Sequence, residues 1–230
     1  MPAFPAYPYR FHRRRKEARP AELLEAALKL FVEKGFTATR SEDVARAAGV
    51  SKGTLYLYFP SKEKLLKAVI QHFLGAEIEA GVQEAVAADG PTGLALEQLL
   101  VNWWQRVYAG PASGVFKLVI TETRNFPEIG ELWLERVVVP RRQIVSDLLR
   151  RGIERGEFAL FDINVAVDSL LKPMILLCVH KHSFADCGIG KVLSVDPVAF
   201  MHAHLRLVLM GLWTRPVDSG VALGEAGRRA

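Results

Sequence analysis

Ala47-Ala48-Gly49-Val50-Ser51-Lys52-Gly53-Thr54-Leu55-Tyr56-Leu57-Tyr58-Phe59-Pro60-Ser61 is the stretch on which the fold turns. Just before it, Ser41 is a good N-cap for a short helix with Glu42 and Asp43 at its positive dipole end and Val44, Ala45 and Ala48 facing inward. Gly49 breaks that helix after about two turns. Ser51 caps a second short helix whose buried side is Leu55 and Phe59, and Pro60-Ser61 stops it and opens another. Two short helices joined by Gly49-Val50, with small residues where they cross, read as a helix-turn-helix. The second helix then presents Ser51, Lys52, Gly53, Thr54, Tyr56 and Tyr58 outward, polar and aromatic groups of the kind that reach base edges and phosphates.

Working outward, Leu24, Ala27, Leu28 and Phe31 recur at helical spacing after Pro20, and Lys34-Gly35 ends that helix. Upstream, Pro2, Pro5 and Pro8 predict an extended arm over residues 1–19. The arm carries six basic residues, among them Arg13, Arg14 and Arg15, against one acid, Glu17. The whole chain has a net charge of +5, so the remainder is balanced and the excess lies in the arm. Such an arm is either a solvated tail or a phosphate-binding strand, and its charge alone leaves both readings open.

Downstream, Ser61 caps a long fourth helix that Ala88-Asp89-Gly90-Pro91 ends. Leu96, Leu99, Leu100, Trp103 and Val107 form the stripe of a fifth, closed by Gly110-Pro111, and a sixth covers about residues 113–124. Pro127 opens a seventh in which Pro140 predicts a kink or restart before Gly156. An eighth covers about residues 163–181 with a kink at Pro173, and after a glycine-containing loop Asp196-Pro197 opens a last helix reaching Trp213. The fold class is all-α, with about nine helices. The expected organisation is an arm (1–19), a three-helix helix-turn-helix domain (20–66), a larger helical domain (67–214) and a frayed tail (215–230).

Composition excludes several classes. Half the residues are hydrophobic and 24% are charged, which suits a folded soluble chain. Cys178 and Cys187 form no Cys-x-x-Cys pattern, and a reducing cytoplasm is the expected compartment. The most apolar region, residues 163–179, is interrupted by Asp168, Lys172 and Pro173, so no membrane association is expected. His180 and His182, and likewise His202 and His204, point about 200° apart on a helix and cannot chelate one metal. No catalytic triad, paired carboxylates or phosphate loop stands out, so neither an enzyme nor a cofactor is expected.

The run from Ala47 to Leu66, with Ala26-Ala27-Leu28-Lys29-Leu30-Phe31 and Lys34-Gly35-Phe36 before it, resembles the DNA-binding signature of TetR-family regulators. The likeness is detailed over residues 20–70 and extends beyond them only as helix number and length. It implies a dimeric repressor of double-stranded DNA that binds a palindromic operator and is released by a small apolar or amphipathic effector. It implies that Lys52 and Gly53 approach base edges, that Thr54 and Tyr56 touch bases or backbone, and that Tyr58, Lys62 and Ser41 bind phosphate. For Tyr56 the alternative is packing on the first helix, and for Lys62 a plain solvated side chain. Family members often carry histidine where this chain has Tyr58, which donates a hydrogen bond without charge.

The last helix is apolar nearly all round, and the resemblance implies that the last two long helices pair with their copies in a four-helix interface, through Phe200, His204, Leu207, Val208 and Gly211, the alternative being a helix central to its own monomer. Trp103, Tyr108, Phe116, Phe126, Trp133 and Met174 are candidates to line an effector pocket, each also readable as ordinary core. Two rivals stand beside this reading: a DNA-binding protein without an effector, controlled by a protein partner or acting structurally on the chromosome, and an all-helical enzyme.

Overall fold

The structure is a computed structural model that describes residues 10–87, 89–184 and 196–213, with side chains from Arg19 onward. The elements are α1 (Arg10–Lys34), α2 (Ser41–Ala47), α3 (Lys52–Tyr58), α4 (Lys62–Ala87), α5 (Thr92–Ala109), α6 (Ala112–Glu122), α7 (Pro127–Trp133), a π turn (Leu134–Val138), α8 (Val139–Glu154), α9 (Ile163–Ser183) and, labelled here α10, Pro197–Leu212. The π turn joins α7 and α8 into one rod, so nine rods make up the described residues, and these contain no strand beyond an isolated bridge between Phe158 and Trp213.

Two expectations about helix starts are corrected. The first helix begins at Arg10, not Pro20, so residues 10–19 are not extended. Pro2, Pro5 and Pro8 all precede Arg10, whereas residues 13–19 are Arg, Lys, Glu and Ala, which favour helix. Pro20 sits inside α1, where it forgoes the bond its missing N–H would have made and its ring crowds the carbonyl four residues back. The residue preceding α2 is Arg40, with no side-chain cap, and Ser41 is its first helical residue. The other caps stand as read: Ser51 accepts from Thr54 N, Ser61 from Lys64 N, and Asp196 from Val198 N and Ala199 N; Asp162, which the sequence reading passed over, accepts from Asn164 N and Val165 N. The glycine-containing loop and the tail fall in stretches outside the described residues.

Two domains share α4. Its first half buries Leu65, Leu66, Val69 and Ile70 alongside Leu24, Leu28 and Phe31 of α1 and Val44 and Leu55 of the short helices. Its second half packs on α5 and α8. The expected α5 stripe is buried in full. α6 lies between α9 and α1, where the Cβ of any larger residue at Gly114 would come within 2.6 Å of the Val32 side chain. α9 is the one helix among those described that is long and apolar enough to cross a membrane. It is packed on α6, α8 and α10, and Asp168 on its surface pairs with Arg142 and Lys172.

At Pro140 the expected kink takes the form of the π turn. Proline has no N–H to give to the carbonyl four residues back and its ring crowds that carbonyl; a turn widened to i→i+5 bonding makes room. The far end of α8 is anchored at Phe158. Ala159 N donates to Leu212 O at 2.9 Å, and Glu157 accepts from Thr92 N and Thr92 Oγ1, satisfying the start of α5.

A methyl group built on Gly152 would overlap the Phe158 ring, whereas one on Gly75 of α4 meets nothing within 4 Å. Gly152→Ala is therefore expected to lower urea-unfolding stability by about 1–3 kcal/mol through overpacking. Gly75→Ala is expected to raise it by about 0.5–1 kcal/mol. Equal shifts in the two variants would contradict the packing described here.

Candidate nucleic-acid interface

The two short helices are fixed by backbone and apolar contacts before any functional side chain enters. Gly49 adopts φ +66°, a left-handed conformation that suits glycine, and Val50 N donates to Ala45 O at 2.9 Å. Val44, Ala45 and Leu55 are buried beneath the turn. The opposite side of α3 faces solvent: Ser51, Lys52, Gly53 and Tyr56 are exposed and Thr54 is half-buried. Sequence reasoning passed over Leu57, which is 85% exposed. It lies two residues from buried Leu55, on the far side of the helix, so the helical period itself carried the signal. A leucine there offers apolar contact to a thymine methyl.

The polar groups of this face have partners of their own. Ser51 Oγ and Thr54 Oγ1 are 2.9 Å apart and bonded to each other. Lys52 is paired with Glu42 of α2 and lies over the Tyr56 ring, 5.7 Å from its centroid. Their hydrogen bond holds the Glu42 carboxyl below, and the Lys52 ammonium above, its usual range. Both groups are exposed, and exchanging a carboxylate for a guanine acceptor or a phosphate costs little at such a site.

Three residues expected to contact phosphate are also engaged within the domain. Lys62 Nζ donates to the carbonyls of Phe36, Thr37 and Thr39 at 2.9, 3.3 and 3.1 Å and sits over the Phe36 ring. It is not a plain solvated lysine: it closes the loop after α1 by donating to three carbonyls just beyond the helix end. Ser41 is largely buried in the first turn of α2. Tyr58 is half-buried and packs on the core beside Phe59. The side chains of Arg13, Arg14 and Arg15 lie outside the described residues.

A second site lies in the larger domain, a narrow, partly open apolar cleft where α4, α5, α8 and α9 meet. Leu99, Trp103, Arg141, Ile144 and Leu171 line it, with Glu77 at its edge. Of the six residues expected around a pocket, only Trp103 is here. Phe116 and Met174 are fully buried core. Tyr108 stacks on Trp104, Phe126 meets Phe36 edge-on and Trp133 meets Phe116 edge-on. Large aromatic type told of burial but not of which side of a helix meets a void. Arg141, missed from the sequence, reads there as one of two adjacent arginines with nothing to mark it as internal.

On α10, Met201, Leu205 and Leu209 turn inward. Phe200, Leu207 and Gly211 are exposed on one other face, Leu207 to 74%. His204 lies on that face but is half-buried, its ring bonded to Ser169 O of α9 at 2.9 Å, and Val208 packs partly on its own core.

Three comparisons agree with this architecture. Residues 23–69 match the family model described as bacterial regulatory proteins, tetR family, and residues 89–186 the tetracyclin repressor-like C-terminal domain. The chain is 31% identical over 204 residues to the HTH-type transcriptional repressor KstR2 of Rhodococcus jostii, covering 86% of this chain and 92% of that protein. Among solved structures it is similar to the TetR family transcriptional regulator PfmR of Thermus thermophilus (TM-score 0.67, 26% identity, 84% of this chain and 99% of that one). It is also similar to the transcriptional regulator FadR of Bacillus subtilis in complex with stearoyl-CoA (TM-score 0.68, 21% identity, 84% and 98%).

Lys62→Met removes one donor from three carbonyls while keeping the side chain's length. The expected result is a loss of about 1–3 kcal/mol in unfolding stability, seen by denaturant titration without DNA. Unchanged stability with weakened DNA binding would return Lys62 to the phosphate role.

Proposed function

The chain belongs to the TetR family of bacterial transcriptional regulators, and we propose that it is a cytoplasmic, dimeric repressor released from a palindromic operator by a small apolar or amphipathic ligand. The observation that carries this reading is the solvent-facing side of α3, with Lys52, Gly53, Thr54, Tyr56 and Leu57 free of the core that holds the helix through Leu55. Lys52 then supplies a donor to guanine, Tyr56 and Leu57 supply contacts to bases or backbone, and the Arg13–Arg15 segment adds phosphate attraction. This is a binding function, with no catalytic step assigned.

Geometry supports the dimer. A seven-residue helix contacts only a few base pairs, and two-fold pairing doubles its contacts at half-sites one helical turn apart. The α10 face bearing Phe200, Leu207 and Gly211 is the surface offered for that pairing, with Leu176 of α9 also exposed. Leu207→Glu is expected to turn dimers into monomers in sedimentation and to weaken operator binding with them.

Release needs a path from the larger domain to α3. α6 supplies it, pressed on α1 at Gly114 and Val32. Lys117 of α6 donates both to Val32 O, at 3.2 Å, and to His182 O at the end of α9, at 2.8 Å. Ligand-driven movement of α4, α5 or α8 that shifts α6 therefore moves α1 and the two short helices on it. The expected pocket aromatics being mostly core favours a second reading, a regulator without a small-molecule effector.

Selection from random duplex DNA with the full-length protein tests the function. The expected outcome is an enriched palindrome bound by two chains. Lys52→Ala is expected to cost about 1–3 kcal/mol on that palindrome and to relax preference at one position of each half-site. No enriched sequence, or one chain per duplex, overturns the proposal.

The α6–α9 junction also predicts a pH dependence. His182 Nε2 is 2.8 Å from Ser113 Oγ, and burial, then Lys181 and Lys117, hold its pKa below the usual histidine value. The unfolded chain thus takes up this proton first as pH falls, and the stability is present above about pH 6.5 and is lost as pH drops through the lower folded value. His182→Gln is expected to flatten that part of the stability–pH curve, measured by urea unfolding between about pH 5 and 7.5.

A further inference from the structure

Arg141 is the one arginine that lines the α4–α5–α8–α9 cleft, and it is 6% exposed. Its Nε and Nη1 have no hydrogen-bond acceptor. Its guanidinium lies over the Trp103 ring, 4.9 Å from the centroid, a contact that orients the plane but leaves its N–H fork unused. No carboxylate answers it. Glu77, at the edge of the same cleft, is bonded to Arg106 Nε at 3.0 Å, and Asp168 is paired with Arg142 and Lys172. The groups that act on Arg141 through charge are Cys178 and Arg142. Burial pushes the Cys178 thiol up to about 12, so it brings no negative charge at neutral pH, and Arg142 repels. Burial pulls Arg141 down to about 10, which still leaves it charged.

A buried cation without a counter-ion is costly, and an anion arriving from outside would relieve that cost. We propose that this cleft binds an amphipathic ligand whose anionic head group is received by the Arg141 guanidinium and whose apolar body lies along Leu99, Trp103, Ile144 and Leu171. The proposal rests on the ligand-released reading above and names the chemistry of its effector. A planar fork suits carboxylate and phosphate alike, each accepting two parallel N–H bonds. The walls on which the rest of the ligand lies are aliphatic and aromatic. The enclosed part of the cleft is narrow, with room for about one water molecule, so entry displaces side chains such as Ile144 and selects a slender chain over a broad ring system.

The test is calorimetric titration of the full-length protein with octanoate, octyl phosphate and octan-1-ol, which share a body and differ at the head. At least one anion is expected to bind about tenfold or more tightly than the alcohol, as a charge-assisted bond to a buried guanidinium requires. The ratio of the two anions tells carboxylate from phosphate. In Arg141→Met, of similar length and no charge, that preference is expected to vanish while octanol binding persists and the melting temperature holds or rises. Arg141→Lys, which keeps the charge without the fork, is expected to retain part of it. Equal binding of all three probes by the unaltered protein overturns the proposal and leaves a ligand-binding cleft standing. Preference for anions that survives in Arg141→Met overturns it by placing the anion site elsewhere. Failure of all three probes to bind, with operator binding intact, overturns both this inference and the cleft as the effector site.

Discussion

One ammonium joins the two halves of the molecule. Lys117 Nζ donates to Val32 O in the last turn of α1 and to His182 O in the last turn of α9. Both are carbonyls at helix C-termini, where intrahelical donors run out and the dipole is negative. A cation between two such ends holds them at a fixed separation that neither helix sets alone. The absent Cβ of Gly114 lets α6 come near enough for Lys117 to reach, and Ser113, next along the chain, binds His182 from the same side. Without this contact α4 would be the main continuous link between the DNA-facing helices and the rest. One long helix transmits bending poorly, while two helices braced at their ends transmit displacement.

Much of this was legible in the sequence because local chemistry decided it. Gly35, Gly49, Gly90 and Gly156 each end an element, and all four have positive φ. Ser51, Ser61 and Asp196 cap helices by bonds between residues two or three apart, the range at which sequence spacing translates directly into geometry. The outward face of α3 was equally readable, since period alone separates Leu55 from Lys52 and Tyr56.

What spacing did not carry was the fate of long side chains. Lys62 reaches back more than twenty residues to the loop after α1, and Lys117 reaches α1 and α9 at once. A flexible side chain with three donors goes wherever unpaired carbonyls gather, and those gather at helix ends whose meeting is a property of the tertiary fold. Which large residue lines the cleft was not legible for a related reason. Trp103, Phe116 and Met174 are all large and buried, but of the three only Trp103 lines the cleft between four helices. Seams are set by crossing angles, to which residue type is a weak guide.

Arg141 shows how a backbone irregularity selects a functional side chain. A π turn adds one residue to a helical turn, and in an unbroken α-helix each residue is worth about 100° of rotation. Everything after Leu134–Val138 is therefore turned by roughly that much relative to a regular continuation of α7. Arg141 and Arg142 follow within one turn. As built, Arg141 points into the cleft and Arg142 outward to Asp168 on α9, where it has its counter-ion. A regular helix at Pro140 would displace both, and the guanidinium in the interior would lose its place beside Trp103. The proline that excludes an ordinary turn thus also fixes which of two adjacent arginines is internal, and it does so by backbone geometry. The preference for the buried position cannot come from Arg141 itself, whose charge opposes it, so the irregular turn and the Trp103 face together hold a residue where its own solvation would not put it.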